Sequence, residues 1–297
     1  MNLRELTWPL RMYWDLSGTF PDPGLCLKIC SELVEIKILF LYLRVGSPAA
    51  NGCCNDILGR LKGGNTRVSV TVSDLAILSS VLGQVDRTSL KLLLAEASSL
   101  HDVWSLIELA GREGKEESPF GISFEITQEN FHEVPDVVSY CAENGIRDLV
   151  FPIQRLETGK SVFCVSRTDR EEISRGLEGL DYSKLRLTIH DPFLWKIFFP
   201  DADYHEGGCQ AANSMIYISP LYKVWPCPAM PVELGDLYET CLKDIILSEG
   251  KKRLRSVLLN SPGECAACDS SEKCLGGCRG RAYAMTGSLT VSDPACR

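Results

Sequence analysis

Short apolar runs alternate with amphipathic stretches through the first two hundred residues of the chain. Strands are predicted at seven of these runs: RMYWDL, ILFLYL, RVSVTV, LKLLLAEA, GISFEIT, RDLVFPI and KLRLTI. Helices are predicted between them, and the first, DPGLCLKICSELVEI, has Asp22 as its N-cap and Pro23 in its first turn. Strands that alternate with helices and are apolar on both faces form parallel sheets. The pattern therefore predicts an α/β fold, either a partial (β/α)6-type barrel or a doubly wound open sheet.

The pattern changes near residue 200, where Gly, Pro and Cys become frequent and regular periods fade. One amphipathic helix is predicted in this part, over LYETCLKDIILSEGKKRLRSVL, within loop-rich sequence. A region with so few long apolar elements needs additional cross-links to stabilise its fold, and thiolates bound to metal supply them. We therefore predict two domains, a β/α barrel over residues 1–200 and a small metal-stapled domain over residues 201–297.

With 45% hydrophobic and 24% charged residues among 297, the composition is that of an ordinary globular protein. The net charge of −8 excludes a bulk basic surface for nucleic acid. The N-terminal MNLRELTWPLRMYW lacks a basic stretch followed by a long apolar one, and IKILFLYLRVG is too short to span a bilayer. The expectation is a cytoplasmic protein without nucleic-acid or membrane partners.

Cysteine is the unusual component, because the chain has fourteen and eight of them follow residue 200. In a reducing compartment such crowding indicates metal or redox chemistry instead of disulfides. Gly276 and Gly277 let backbone N–H groups approach neighbouring sulfurs, which stabilises thiolates. The pattern leaves three alternatives: two iron–sulfur clusters, a four-cysteine zinc site, or free thiols. Seven cysteines are candidate metal ligands: Cys209, Cys227, Cys265, Cys268, Cys274, Cys278 and Cys296.

The order of these seven cysteines resembles the SPASM domain, the auxiliary-cluster module at the C-terminus of many radical SAM enzymes. The core C-x2-C-x5-C-x3-C has that family's spacing, RGRAYAMTG follows it, and DPAC surrounds the last cysteine. VWPCPAMPVELGDLYE is similar to the family's stretch around the second cysteine, although Tyr222 stands where the family usually has Gly. The resemblance implies two [4Fe–4S] clusters instead of zinc.

By this resemblance the ligands interleave along the chain. One [4Fe–4S] cluster is implied at Cys265, Cys268, Cys274 and Cys296, and the other at Cys209, Cys227 and Cys278. The second cluster has only three cysteines, and DADYHEGG stands where some family members have an additional one. Asp203, His205 or Glu206 is then a candidate fourth ligand, or one iron stays open to a substrate or a partner's group.

SPASM domains usually follow a radical SAM barrel, and the first part of the chain fits a radical-SAM-like barrel. That barrel carries C-x3-C-x2-C after its first strand, whose three thiolates leave one iron open for S-adenosylmethionine. Here Leu33 replaces the third cysteine after Cys26 and Cys30, and the predicted helix makes both cysteines core residues. Val45-Gly46-Ser47-Pro48 stands in place of the family's Gly-Gly-Glu-Pro, which contacts the methionyl amine. We therefore expect a degenerate barrel that does not bind S-adenosylmethionine.

A SPASM protein with a degenerate barrel resembles the SPASM-domain partner proteins of GeoRSP-type peptide-maturation systems. The resemblance implies an accessory iron–sulfur protein, not catalytic by itself. It would pass electrons, dock or bind peptide for a separate radical SAM/SPASM enzyme. A PqqD-like peptide-presenting protein and a ribosomal precursor peptide are the other implied partners. Two alternatives remain: an active radical SAM enzyme whose atypical first cluster uses Cys26 and Cys30, and a structural zinc or cluster scaffold.

Two further features have structural explanations. His190-Asp191 follows the last predicted strand, where barrel sites lie, but Asp191 before Pro192 is typical of a helix N-cap. Cys53 and Cys54 are adjacent on a predicted helix and point in different directions, so packing residues are favoured over a redox pair.

Overall fold

The structure is a computed structural model that describes residues 5–18, 22–84, 90–112, 120–157, 162–204 and 208–296. Seven strands alternate with helices in its first part, as the apolar runs predict. These strands are β1 (Arg11–Asp15), β2 (Phe40–Val45), β3 (Arg67–Val72), β4 (Leu90–Ala97), β5 (Phe120–Phe124), β6 (Asp148–Phe151) and β7 (Arg186–Ile189). Three short strands follow in the second part: β8 (Met215–Ile218), β9 (Lys223–Trp225) and β10 (Gly235–Asp236).

The helices of the first part lie between or after these strands. They are α1 (Pro23–Glu35), α2 (Asn51–Leu61), α3 (Leu75–Gln84), α4 (Leu100–Arg112), α5 (Val134–Glu143), α6 (Arg167–Leu177) and α7 (Pro192–Phe198). Local caps explain where several begin, because a side-chain oxygen satisfies a free N–H of the first turn. Asp22 accepts from Leu25 N at the start of α1, and Asp191 accepts from Phe193 N and Leu194 N at the start of α7. The predicted N-cap role of Asp191 is confirmed.

The described strands form one sheet in the order β10-β9-β8-β1-β2-β3-β4-β5-β6-β7. Strands β1 to β7 are parallel to their neighbours, β8 adds in parallel to the free side of β1, and β9 and β10 complete an antiparallel edge. Residues from each of β1 to β8 line one cavity, so the sheet curves around it. The α/β prediction of a large parallel sheet curved into a partial barrel is confirmed.

The main hydrophobic core lies between this sheet and its helices, and it continues past residue 200. Ile216 and Ile218 of β8 belong to that core together with Met12 and Trp14 of β1. A second, smaller core contains Cys227 and residues around it. The division into residues 1–200 and 201–297 stays a prediction, although the sheet and the main core extend across it.

The second part contains α8 (Leu242–Leu247), α9 (Glu249–Leu258), α10 (Ser271–Cys274) and α11 (Arg279–Thr286). The prediction of one continuous helix over LYETCLKDIILSEGKKRLRSVL is wrong, because Ser248 interrupts it. Ser248 adopts an extended backbone, and its hydroxyl accepts from Lys251 N to cap α9. In the described residues no helix has the length and apolar character needed to cross a bilayer.

Candidate metal centre and barrel cavity

Three predicted ligands, Cys209, Cys227 and Cys278, come together and are called the three-cysteine group. Cys209 precedes β8, Cys227 follows β9, and Cys278 is the N-cap residue of α11. Burial raises the pKa of the Cys227 thiol well above its ordinary value, and the nearby Cys209 and Cys278 thiols raise it further. The topology therefore brings three thiols that are far apart in sequence into one electrostatically coupled set.

Backbone N–H groups are directed at the sulfurs of this group. The N–H groups of Ala211 and Arg279 donate to Cys209, and Arg281 N donates to Cys278 Sγ at 3.4 Å. Cys227 accepts from the N–H groups of Ala229 and Met230. Such donors stabilise sulfur that carries negative charge.

The other four predicted ligands, called the four-cysteine group, lie around α10 and near the C-terminus. They are Cys265, Cys268, Cys274 and Cys296. Burial raises the pKa of Cys296, and the thiols of Cys265 and Cys268 add to the rise. Burial also raises the pKa of Cys274, to which Cys296 and Cys265 contribute. Cys268 and Cys296 are exposed, so this group lies nearer the surface than the three-cysteine group.

Gly276 and Gly277 separate the two groups. Both have left-handed backbones, with φ values of 90° and 71°. A Cβ at Gly276 would lie 2.7 Å from Pro262, and one at Gly277 would lie 2.7 Å from the Cβ of Asp293. Their N–H groups donate to Cys274, and the double turn directs Cys278 towards Cys209 and Cys227. The expected approach of glycine N–H groups to sulfur occurs, but at Cys274 instead of Cys278.

The donor chemistry of both groups fits iron–sulfur clusters. In the described ranges no set of three or more Cys, His, Asp or Glu side chains has the spacing for a single metal ion. A [4Fe–4S] cluster would take thiolate ligands, and each group offers free cysteines with backbone N–H donors at their sulfurs.

The fourth ligand of the three-cysteine group is not supplied by Asp203 in this arrangement. The Asp203 side chain is 82% exposed and pairs with Lys273 Nζ at 2.6 Å, beside α10. The other two candidates, His205 and Glu206, lie outside the described residues.

Cys26 and Cys30 lie within α1. Cys26, Cys30 and Leu33 are all fully buried in the main core. Cys26 forms a disulfide with Cys53 of α2, and the Tyr222 hydroxyl lies 3.4 Å from the Cys26 sulfur. This pair contradicts the expectation that the cysteines form no disulfides, whereas the burial of Cys53 and Cys54 agrees with their assignment to packing.

The loops after β1 and β2 pack directly against each other. A Cβ at Gly46 would overlap the Ser17 side chain, and Leu16 N donates to Arg44 O at 2.8 Å. Ser47, which replaces the family's glutamate, has a buried hydroxyl without a hydrogen-bond partner among the described residues.

A cavity of about 460 Å³ occupies the interior of the curved sheet. Ion pairs cross its carboxyl end: Arg44 binds Glu96 at 2.8 Å and approaches Asp15 at 3.6 Å, and Arg155 joins Glu96 to Glu125. Burial alone would raise the pKa of Glu96, but the hydrogen bonds and charges of Arg44 and Arg155 outweigh it and lower that pKa. This network was not predicted from the sequence. The feature that could have indicated it is the presence of Arg44 and Glu96 within otherwise apolar strands.

Tyr13 of β1 lies between this cavity and the three-cysteine group. Its ring stacks on Tyr42 at 4.8 Å between centroids and meets the His190 ring edge-on at 6.3 Å. The same side chain packs against the smaller core that contains Cys227. His190 lines the barrel cavity and also a second, smaller cavity that reaches Cys278. Burial lowers the pKa of His190 to about 4, and Arg11 contributes to the decrease.

Comparisons with known sequences give distant relatives, while no protein-family model matches the chain. It is 33% identical over 90 residues to an AdoMet-dependent heme synthase of Methanosarcina barkeri, covering 30% of this chain and 25% of that protein. A heme synthase of Nitratidesulfovibrio vulgaris is 26% identical over 200 residues, 60% of this chain and 53% of that protein. The PqqA peptide cyclase of Granulibacter bethesdensis is 20% identical over 293 residues, 91% of this chain and 77% of that protein. The chain thus spans about half or less of the two heme synthases.

Solved structures share the fold over nearly the whole chain. SuiB of Streptococcus suis bound to S-adenosylmethionine has a TM-score of 0.73 at 15% identity, covering 99% of this chain and 78% of that one. The enzyme anSMEcpe with bound AdoMet has a TM-score of 0.66 at 14% identity, covering 97% and 94%. The fold is therefore that of these AdoMet-binding proteins.

The chain is thus similar in sequence to AdoMet-dependent heme synthases and PqqA peptide cyclases, and it shares its fold with SuiB and anSMEcpe. The AdoMet bound in SuiB and anSMEcpe weighs against the expectation that this chain binds no S-adenosylmethionine. Cys26 and Cys30 are buried in α1, as the sequence predicts.

Proposed function

We propose that the chain is an iron–sulfur protein of peptide maturation that holds two [4Fe–4S] clusters and works with a separate radical SAM enzyme. The three-cysteine and four-cysteine groups would hold the clusters, which supply one-electron chemistry when bound. The main support for the proposal is the contrast between the cysteines of the C-terminal part and those of α1. Thiols with N–H donors form two sets in the C-terminal part, whereas Cys26 and Cys30 are core residues of α1.

Peptide maturation is proposed from the activities of the similar proteins. A PqqA peptide cyclase is among the sequence relatives, and a structure of SuiB is bound to its precursor peptide SuiA. The corresponding partners of this chain would be a ribosomal precursor peptide, a PqqD-like presenting protein and a radical SAM/SPASM enzyme. A cytoplasmic location is part of the proposal, because the seven clustered thiols are free and favour a reducing compartment, although Cys26 and Cys53 are paired.

Anaerobic reconstitution tests the cluster assignment. About eight irons per chain are expected for two four-iron clusters. A Cys265→Ala/Cys268→Ala variant is expected to lose about half of that iron, and a Cys26→Ala/Cys30→Ala variant is the matched control that retains all of it. Zinc without iron in the isolated protein, or iron loss in the α1 variant, would contradict the proposal.

A second candidate function is an active radical SAM enzyme, which the AdoMet-bound structural neighbours favour. The two functions differ in one reaction. The reconstituted, reduced chain is incubated with S-adenosylmethionine, and 5′-deoxyadenosine is measured by chromatography. The accessory role predicts none above the level given by the Cys265→Ala/Cys268→Ala variant. Sustained cleavage that depends on Cys26 and Cys30 would assign the reaction to this chain.

A further inference from the structure

Arg279 is a buried cation between the two cysteine groups. Only 1% of the residue is exposed, and it is among the largest fully buried side chains of the described residues. A charge taken out of water at this depth requires an opposite charge nearby, because the desolvation penalty amounts to several kcal/mol per ion. The groups around Arg279 therefore identify the negative charge that balances it.

The described residues around Arg279 offer carbonyl oxygens and no carboxylate in ion-pair contact. One guanidinium nitrogen donates to Asn260 O and Leu275 O, each at 3.1 Å. The Nε atom is buried and has no hydrogen-bond partner in the described part of the chain. The neighbouring Arg281, in contrast, forms ion pairs with both Asp191 and Asp293. The two arginines are separated by one residue, yet only Arg281 has protein carboxylates as partners.

The ionisable groups that interact with Arg279 are two cysteines, one from each cysteine group. Cys209 of the three-cysteine group and Cys265 of the four-cysteine group both interact electrostatically with the guanidinium. The backbone N–H of Arg279 also donates to the Cys209 sulfur. The side chain passes close to the glycine turn, since a Cβ at Gly276 would lie 3.4 Å from the Cδ of Arg279.

We infer that Arg279 is the shared counter-charge of two anionic centres, one in each cysteine group, and that it raises the reduction potential of both. The inference rests on the proposed function, because the centres are the two proposed clusters. A fixed positive charge stabilises the more negative, reduced form of each centre, and cluster potentials depend on local charge and hydrogen bonding. Arg279 is thus a positioning and charge-compensating residue and needs no contact with a substrate.

Redox titration of the anaerobically reconstituted full chain, followed by electron paramagnetic resonance, tests the inference. Arg279→Met is expected to shift both midpoint potentials to more negative values. Arg255→Met is the matched control, because the buried Arg255 lies near Cys209 and is expected to shift one potential only. Arg279→Lys keeps the charge, and its midpoint potentials are expected to remain close to those of the wild type. This variant can still be measured if Arg279→Met does not assemble.

The outcomes separate this inference from the proposed function. A wild-type chain that does not load two clusters refutes the proposed function before any variant is compared. If the wild type loads both, unchanged potentials in Arg279→Met at full iron content overturn the shared counter-charge. A shift of only one potential also overturns it. Equal shifts in Arg279→Lys and Arg279→Met would show that hydrogen-bond geometry, and not charge, is responsible.

Discussion

At the residue scale, Arg281 joins the barrel to the cysteine-rich part of the chain. Its guanidinium binds Asp293 through two nitrogens, at 2.8 Å and 2.7 Å, and it also pairs with Asp191 at the start of α7. Asp293 in turn accepts from Cys278 N at 2.7 Å. One buried side chain therefore orients a helix N-terminus of the barrel and a residue of the three-cysteine group.

Replacing Arg281 with alanine is expected to lower the free energy of unfolding by about 3–5 kcal/mol, the usual effect of leaving buried charges unpaired. Asp293 is fully buried and would lose its cation. Chemical denaturation of the reconstituted protein measures the change. Arg167→Ala is the control, because it removes an exposed pair with Glu171 and is expected to have no measurable effect. Stability equal to wild type in Arg281→Ala would show that the buried network contributes nothing.

At the element scale, caps encoded by neighbouring residues were predictable and contacts between distant elements were not. Asp22-Pro23 and Asp191-Pro192 begin helices where the sequence indicates. The disulfide of Cys26 with Cys53 depends on how α1 packs against α2, which no local pattern contains. The five residues of the ion network at the barrel cavity likewise meet only after the sheet curves.

The break at Ser248 shows how a cap overrides a helical period. The apolar pattern continues across it, but the Ser248 hydroxyl accepts from Lys251 N and begins a new helix. Ser248→Ala is expected to destabilise the protein by about 1 kcal/mol, the typical contribution of an N-cap. Thermal unfolding measures the loss, and Ser248→Thr should retain most of the stability. An unchanged alanine variant would mean that α8 and α9 need no cap at their junction.

The ion network at the carboxyl ends of β1, β2 and β4 predicts a pH dependence. Because Arg44 and Arg155 lower the pKa of Glu96, its stabilising charge is fully present above the unfolded value of about 4.3. The contribution is lost as pH falls through the lower folded pKa. The difference in unfolding free energy between wild type and Glu96→Gln should therefore be largest near neutral pH and shrink below about pH 4. A difference in unfolding free energy that grows as the pH falls would contradict the predicted direction of this pH dependence.

At the scale of the whole molecule, the pattern of residues 1–200 predicts a barrel. It does not predict which strand pairs with the other edge of β1. Strand β8 pairs with β1 from Arg11↔Met215 to Trp14↔Ile218, two hundred residues apart. Short, fully apolar runs such as that of β8 carry no information about which strand they join. The cysteine spacing, in contrast, indicated candidate metal ligands, because C-x2-C is a local feature, while the division into two groups was implied only by the resemblance to the SPASM domain.

The continuous sheet predicts that the two parts of the chain do not fold separately. Without residues 201–297, β1 would expose its hydrogen-bonding edge, and the main core would lose Leu242, Ile245 and Ile246 of α8. An exposed edge of a parallel sheet promotes aggregation. Residues 1–200 expressed alone are expected to aggregate or to unfold without a cooperative transition, whereas the full chain unfolds cooperatively. Circular dichroism and size-exclusion chromatography on both chains make the comparison. A monomeric fragment with a sharp thermal transition would restore residue 200 as a true domain boundary.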